Sequence, residues 1–371
     1  MLTLAHISGW DISYELATNF VLALGIFVVL VCQIRITLRS IGHGRTNWLL
    51  PTTALIIFSL TQWENWLWGW QIQIFLNVLA ATGGIVLLAN PPFKWSRFLM
   101  ALLLGLVATC SFANGICYWP IGLLILFLVS ENKKTSMTLW AVAGLFIVSL
   151  YFYNYHKPSH HPSLWIAFER PLDCVKYAIK YLGAFVANSG TASAFVAGSL
   201  GLVNVCGTIW LLIRRRFKLP VLVPFIGLSL YAISSALITG MGRLGFESTQ
   251  ALSSRYRTIS SLFWFSNVVL LYLLVGNNQA RTKRSKSYIW LSILATIISL
   301  TVASSFHARA NFDRKYHTLA PARNALMTID NTENNDELLT RLCWSADLVK
   351  KESLLLKKYR LSVFRDSECI N

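Results

Sequence analysis

The sequence predicts an all-α, polytopic transmembrane helical bundle of about ten spans, carrying a small helical C-terminal tail. Three observations predict it. First, 55% of the 371 residues are hydrophobic, only 13% are charged, and the mean hydropathy is +0.52; a soluble domain could not hide that much apolar surface. Second, the apolar residues come in continuous Leu/Ile/Val/Phe-rich runs rather than in the alternation of a membrane β-barrel. Third, the basic residues collect in every second loop between those runs. That distribution answers the net charge of +17, which taken alone would suggest nucleic acid; no nucleic-acid partner is expected.

A span needs roughly 20 apolar residues. Runs that qualify are 18–37, 49–62, 71–90, 98–112, 115–130, 138–153, 194–213, 219–239, 258–276 and 288–305. Several are short, which predicts tilted, broken or re-entrant helices. No cleavable signal peptide precedes them. Fifteen of the 33 basic residues fall in five short loops: Arg35, Arg39 and Arg45; Lys94 and Arg97; Lys133 and Lys134; Arg214, Arg215, Arg216 and Lys218; and Arg281, Lys283, Arg284 and Lys286. With ten alternating spans, all five lie on one side, which the positive-inside rule makes the cytoplasm. Contacts with lipid headgroups account for these runs as well.

The other connections, 63–70, 113–114, 154–193 and 240–257, then face outward, with residues 1–17 and the tail from 306. Six of the seven acids before the tail lie on that side or at its boundary: Asp11, Glu15, Glu64, Glu169, Asp173 and Glu247. Glu64 stands out. It sits in TQWENWLWGWQIQ (61–73), beside Asn65 and amid Trp63, Trp66, Trp68 and Trp70. The tryptophans read equally as an interfacial belt. A carboxylate in so short a connection lies near the hydrocarbon boundary and needs a partner or a hydrated cavity, which makes it a functional candidate.

The outward segment GMGRLGFESTQALSSRYR (240–257) carries Arg243, Glu247, Gln250, Arg255, Tyr256 and Arg257 and runs straight into a span. A guanidinium matches phosphate oxygens bidentately, so these arginines suggest an anionic headgroup or a pyrophosphate. An Arg243–Glu247 ion pair is the simpler alternative. SFANGICYWP (111–120) breaks an apolar stretch with Asn114-Gly115 and Pro120, a tight turn with an amide at its tip. The longest internal outer loop contains His156, His160 and His161, Glu169 and Arg170, then from Pro171 an apolar pattern of helical period, which predicts an amphipathic helix in the interface. The histidine spacing is too weak to indicate a metal, and no cofactor is indicated. The seven cysteines show no metal-type spacing; Cys343 and Cys369 could pair outside. The tail, 306–371, has 11 basic and 9 acidic residues and leucines at helical spacing from about 336 to 362.

Four motifs, W-E-N-x-L-x-G-x-Q-I-Q, F-A-N-G-x-x-x-W-P, G-R-x-G-F-x-x-x-Q-A-L-x-S-R-Y and a closing K-K-Y-R-L-S-V-F, resemble a group of largely uncharacterised bacterial inner-membrane proteins. Their organisation is similar to that of the C-type integral-membrane glycosyltransferases. The resemblance implies transfer of a sugar from a polyprenyl-phosphate donor to an envelope acceptor at the outer face, in contact with membrane lipids. It implies a carboxylate as general base, with Glu64, Glu247 and Asp11 as candidates. Asn65, Trp63, Asn114, Arg170, Arg243, Gln250, Arg255 and Tyr256 are the candidate substrate-binding residues, Arg255 for phosphate, Glu64 and Asn65 at the sugar or acceptor end, and Trp63, Trp66 and Trp119 as stacking platforms. The chain departs from that pattern at its start. The resemblance begins at the second span, so a first span and an acidic outer loop are expected to be missing. Two alternatives stand beside this reading: a polymerase of polyprenyl-linked polysaccharide, and a non-enzymatic transporter or scaffold. A transporter places ionisable groups at mid-span, commonly in repeated halves, and the sequence shows neither.

Overall fold

The structure is a computed structural model. It describes residues 2–42, 48–156, 162–163, 165–187, 190–276, 284–329 and 335–365. Among them there is no strand, and the chain is an all-α, multi-pass membrane protein. A short helix, α1 (Leu2–Ser8), precedes α2 (Ile12–Ser40). Then come α3 (Leu49–Ile57), α4 (Trp63–Leu67), α5 (Ile72–Ala89), α6 (Trp95–Ser111), α7 (Tyr118–Val129) and α8 (Lys133–Phe152). After them run α9 (Trp165–Glu169), α10 (Pro171–Gly183), α11 (Thr191–Arg214), α12 (Leu219–Arg243), α13 (Arg257–Gly276) and α14 (Arg284–Met327). The tail adds α15 (Asp336–Thr340) and α16 (Ala346–Lys358).

Among the described residues seven helices, α2, α5, α8, α11, α12, α13 and α14, are long and apolar enough to cross a membrane. The remaining expected spans are shorter. α6 and the segment Ala113–Val129 have 17 residues each, and the run 49–62 is not one helix at all. α3 has nine residues, about 14 Å at 1.5 Å per residue, half of the roughly 30 Å hydrocarbon thickness. The break has a local cause. The Ser59 side chain takes the Thr61 N–H at 3.2 Å, and a serine that bonds its neighbours' backbone competes with the helix. Irregular backbone at that depth survives only where protein satisfies it. Here three side chains do so: Gln62 Nε2 donates to Ile57 O at 2.5 Å, Trp66 Nε1 to Ser59 O at 3.1 Å and Arg257 to Thr61 O at 2.7 Å.

α13 is the centre of the bundle, with 89% of its apolar window buried, whereas α8 at 17% lies on the rim. Polar groups inside the bundle are paired across helices: Tyr231 donates to Asn77 Oδ1 at 2.6 Å, Asn90 to Gln33 Oε1 at 2.6 Å and Asn204 to Asn267 Oδ1 at 2.8 Å. Such bonds hold helices together where water offers no alternative.

The two ends of the bundle differ. One, the basic end, carries the loops 90–94, 130–132 and 215–218; Arg45, Arg281 and Lys283 lie outside the described residues. The other, the acidic end, carries Glu64, Asp173 and Glu247. The amphipathic stretch after Pro171 is α10. It buries Cys174, Tyr177, Ala178, Tyr181 and Leu182 against α11, α12 and α13 and leaves Leu172 73% exposed. Close approach to α11 rests on two glycines. A Cβ on Gly183 would lie 1.8 Å from Ala194 O, and one on Gly198 would lie 2.0 Å from Ile179 O.

The tail is continuous with the bundle. The expected boundary at 305/306 falls inside α14, whose 44 residues extend about 66 Å. Residues 306–320 contain neither Gly nor Pro to stop it. Its far end packs Ala325 against Leu339 and Ala346 of the tail helices. The closing motif then returns to the start of the chain. Ser362 N donates to Gly9 O at 3.0 Å, and Arg365 donates to Asp11 Oδ2 at 2.9 Å and to Ser8 O at 3.3 Å. Four left-handed residues meet there: Gly9, Trp10, Arg360 and Ser362. Non-glycine residues hold that conformation only where the surroundings over-determine it.

Candidate functional site

The break between α3 and α4 and the segment before α13 face each other at the acidic end. The turn Ser254–Tyr256 leads into α13. Arg257, the first residue of that helix, is 6% exposed and ties both partners down, donating to Thr61 O on one side and to Leu252 O at 2.7 Å on the other. The next residue, Thr258, donates to Gln62 Oε1 and accepts from Asn65 Nδ2 at 2.6 Å; the same amide donates to Arg255 O at 3.0 Å. Asn19 of α2 locks the far side by donating to Asn65 O at 3.1 Å and Trp68 O at 3.3 Å. Buried amides with their donors spent in this way fix the backbone around them.

On this frame sits Glu64. Its Oε2 accepts from Ser254 Oγ at 2.7 Å and from Ser253 Oγ at 3.3 Å, and lies 3.7 Å from Arg255 Nε. Ser254 Oγ also accepts the Glu64 N–H at 3.3 Å, and Arg255 Nε donates to Ser253 Oγ at 3.2 Å. Glu64 and Arg255 remain 30% and 38% exposed, so both reach solvent or a ligand. The result is a carboxylate, two hydroxyls and a guanidinium on rigid backbone. Such a set can accept a proton and hold an anion at neighbouring points.

Beneath Arg255 lies an aromatic floor. Tyr256 stacks on Tyr181 of α10 with ring centroids 5.0 Å apart. Tyr177 lies beside them; burial pushes its phenol well above the ordinary value, and the charges of Arg243 and Arg255 pull the other way. The phenol therefore stays protonated at neutral pH.

The remaining candidates are placed as follows. Trp63 is half-buried in the first turn of α4. Asn65 is fully buried and acts on the Arg255 backbone rather than on the surface. Asn114 is not at an exposed tip: it is buried and joins the 113–117 turn to α12, donating to Ser235 O at 3.4 Å and Thr239 Oγ1 at 3.2 Å. Arg170 spends itself on Asp173 at 2.7 Å, and Lys176 shares that carboxylate; both hold it below the usual carboxylate range. Arg243 lies over the Phe246 ring at 5.5 Å, and Glu247 accepts from Thr249 at 3.2 Å, so each has a partner other than the expected ion pair. Gln250 is half-buried in the turn before Ser253, its Oε1 shielded from solvent. Tyr256 is buried in the floor. Asp11 belongs to the tail junction, where hydrogen bonds from Ser13 and the charge of Arg365 hold its carboxyl below the usual range.

Two expected stacking platforms are core residues instead. Trp119 is 5% exposed, packs on Trp140 and donates to Thr109; Trp66 lies between Phe58 and Phe75. Large aromatics fill a membrane core as readily as they line a groove. His160 and His161 and the Cys343–Cys369 pairing fall on or involve positions outside the described residues. Ser253, Ser254, Thr258, Gln62 and Asn19 were not singled out in the sequence. Ser253-Ser254 directly before Arg255 was the available signal: two hydroxyls beside a guanidinium. Glu15 also proved different from an outer-loop acid. It is 4% exposed, and its carboxylate lies against Gly69, where a Cβ would meet Glu15 Oε2 at 1.8 Å.

No known family model, no curated protein and no solved structure matches the chain.

Proposed function

We propose that the protein is a glycosyltransferase-like enzyme of a bacterial inner membrane, with its acidic end and tail on the outer side. The sidedness rests on the positive-inside rule and on Lys94, Arg97, Lys133, Lys134, Arg215, Arg216 and Lys218 at the opposite end of the bundle. The observation that carries the chemistry is the pairing of Glu64 with Arg255, 3.7 Å apart and both partly exposed, on a turn fixed by Arg257, Asn65 and Thr258.

In this reading a polyprenyl-phosphate-linked sugar enters from the membrane with its phosphate on Arg255. The hydroxyl oxygen of the acceptor attacks the anomeric carbon. The new C–O bond forms as the bond from that carbon to the phosphate oxygen breaks. The hydroxyl proton goes to Glu64, and the electron pair leaves with the phosphate. At 3.7 Å Arg255 Nε is outside direct hydrogen-bond range of Glu64, so its guanidinium fork can turn to the phosphate while Ser254 keeps the carboxylate in place. Base catalysis of this kind contributes roughly 10²–10⁴-fold, and a fixed cation at the leaving oxygen contributes further.

The test is a transfer assay. Purified protein in lipid nanodiscs is given radiolabelled polyprenyl-phosphate sugars and an envelope-lipid extract as acceptor. The expected result is transfer by the wild type, loss of at least 100-fold in Glu64→Gln, and a comparable loss in Arg255→Ala. Normal transfer in both variants would remove the proposed site. No transfer by the wild type with any donor would remove the reaction class.

A further inference from the structure

The closing motif K-K-Y-R-L-S-V-F takes no part in the site above. It nevertheless builds a cavity of its own. Where residues 362–365 return to the start of α2, they leave a space of about 350 Å³ against the far end of α14. That is within the size range of small-molecule sites. Ile12 and Met327 supply an apolar wall; Asp11, Arg323, Ser362 and Arg365 supply the polar one.

Among the described residues, two guanidiniums line the cavity beside one carboxylate, and that carboxylate is held by Arg365 at 2.9 Å. Arg323 lines the cavity with no hydrogen bond or ion pair among the described residues. Among the described lining residues the polar wall thus carries one positive charge in excess, on a planar fork suited to a tetrahedral oxyanion. Arg365 is positioned from two sides, by Asp11 and by Ser8 O. Ser362 is held in a left-handed conformation at φ +58° while its N–H is bonded to Gly9 O. Strain of this kind marks a segment whose geometry is fixed by its surroundings.

We propose that this seam is a second binding site, distinct from the Glu64 group, for a phosphate-bearing ligand held by Arg323 with Arg365 and Ser362. The chemistry fits both an anionic phospholipid headgroup and a soluble phosphate. The seam lies at the first turn of α2, where a membrane-crossing helix begins, so a headgroup can reach it from the bilayer. A ligand here bridges α14, the closing motif and the chain start, and clasps the tail to the bundle. The inference does not depend on sugar transfer.

The experiment uses the full chain in nanodiscs of phosphatidylcholine alone, at constant ionic strength so that screening does not change. Inorganic pyrophosphate is titrated and binding is read as a saturable rise in thermal midpoint. In parallel, nanodiscs with increasing phosphatidylglycerol are compared without added phosphate. The expected result is a saturable response in at least one arm. Arg323→Ala should weaken it by about tenfold or more, because a charge-assisted hydrogen bond of that kind is lost. Arg323→Lys should keep part of it. A response to pyrophosphate identifies a soluble ligand; a response only to phosphatidylglycerol identifies a headgroup. Lys351→Ala, on an exposed face of α16, is the control and should respond as the wild type does. Equal responses of wild type and Arg323→Ala in both arms, or no response in either, would overturn the proposal. The Arg323 side chain makes no hydrogen bond or ion pair among the described residues, so its loss should leave the fold intact. A shifted midpoint in the absence of either ligand would reveal a structural role instead and count against the proposal.

Discussion

At the scale of single residues, the acidic end is organised by groups that do no chemistry themselves. Arg257 is the clearest. Its charge is buried, and its two described hydrogen bonds close the broken helix after α3 and the turn before α13 together. Removing it takes the donors from Thr61 O and Leu252 O. Arg257→Met should therefore cost about 3 kcal/mol or more, from two lost charge-assisted bonds, read as a fall in thermal midpoint in detergent. Arg257→Lys, with one compact ammonium instead of a fork, should recover only part. Asp11 makes a different prediction. Its carboxyl is held below the usual range by Ser13 and then by Arg365. A lowered pKa adds stability that is present above the unfolded value of about 4 and lost as pH falls through the lower folded value. Hydrogen-exchange protection of residues 359–365 should thus be constant from about pH 8 to pH 5 and fall only below about pH 4. Asp11→Asn should lower it at neutral pH. A loss of protection near pH 6 would assign the junction to some other group.

At the scale of elements, legibility followed periodicity. The long apolar runs read correctly because twenty apolar residues in lipid leave few alternatives. The run 49–62 is short enough to predict a tilted, broken or re-entrant helix, and it is broken; the sequence does not say where. The break is satisfied locally by Gln62 and Trp66 and, from far along the chain, by Arg257. α14 shows the converse: a fall in hydropathy at 306 marks where the chain becomes polar, and the helix continues through it to Met327. α10 illustrates a third case. Its amphipathic pattern was visible, but the pattern does not say whether the apolar face meets lipid or helices. Gly183 and Gly198 decide it, by letting α10 and α11 approach to backbone contact. Gly183→Val should force them apart and expose Cys174, which is 6% exposed on the buried face of α10. Maleimide labelling at Cys174, read by peptide mass spectrometry, should be slow in the wild type and fast in the variant; equal rates would mean that α10 is not held by this contact.

At the scale of the whole molecule, the fold brings two distant motifs, W-E-N and S-S-R-Y-R, to one point. They are separated by 190 residues between Glu64 and Ser254. Charge counting placed both motifs at one end, but only the tertiary hydrogen bonds put Glu64 against Arg255 rather than Arg243 or Arg170. Those two arginines had nearer partners, Phe246 and Asp173, which sequence spacing alone did not favour over others. The same architecture gives the frame its own test. Asn65→Ala removes the donors to Arg255 O and Thr258, leaves Glu64 and Arg255 chemically intact, and should still lower transfer by about tenfold through misplacement of Arg255. The most direct measurement of the central claim separates binding from chemistry in steady-state transfer. If Glu64 is the base and Arg255 the phosphate ligand, Glu64→Gln should lower kcat by roughly 10²–10⁴ with donor affinity unchanged, while Arg255→Ala should weaken donor binding by about tenfold or more. If the two variants change kcat and donor affinity alike, or leave both at wild-type values, the division of roles between Glu64 and Arg255 is wrong.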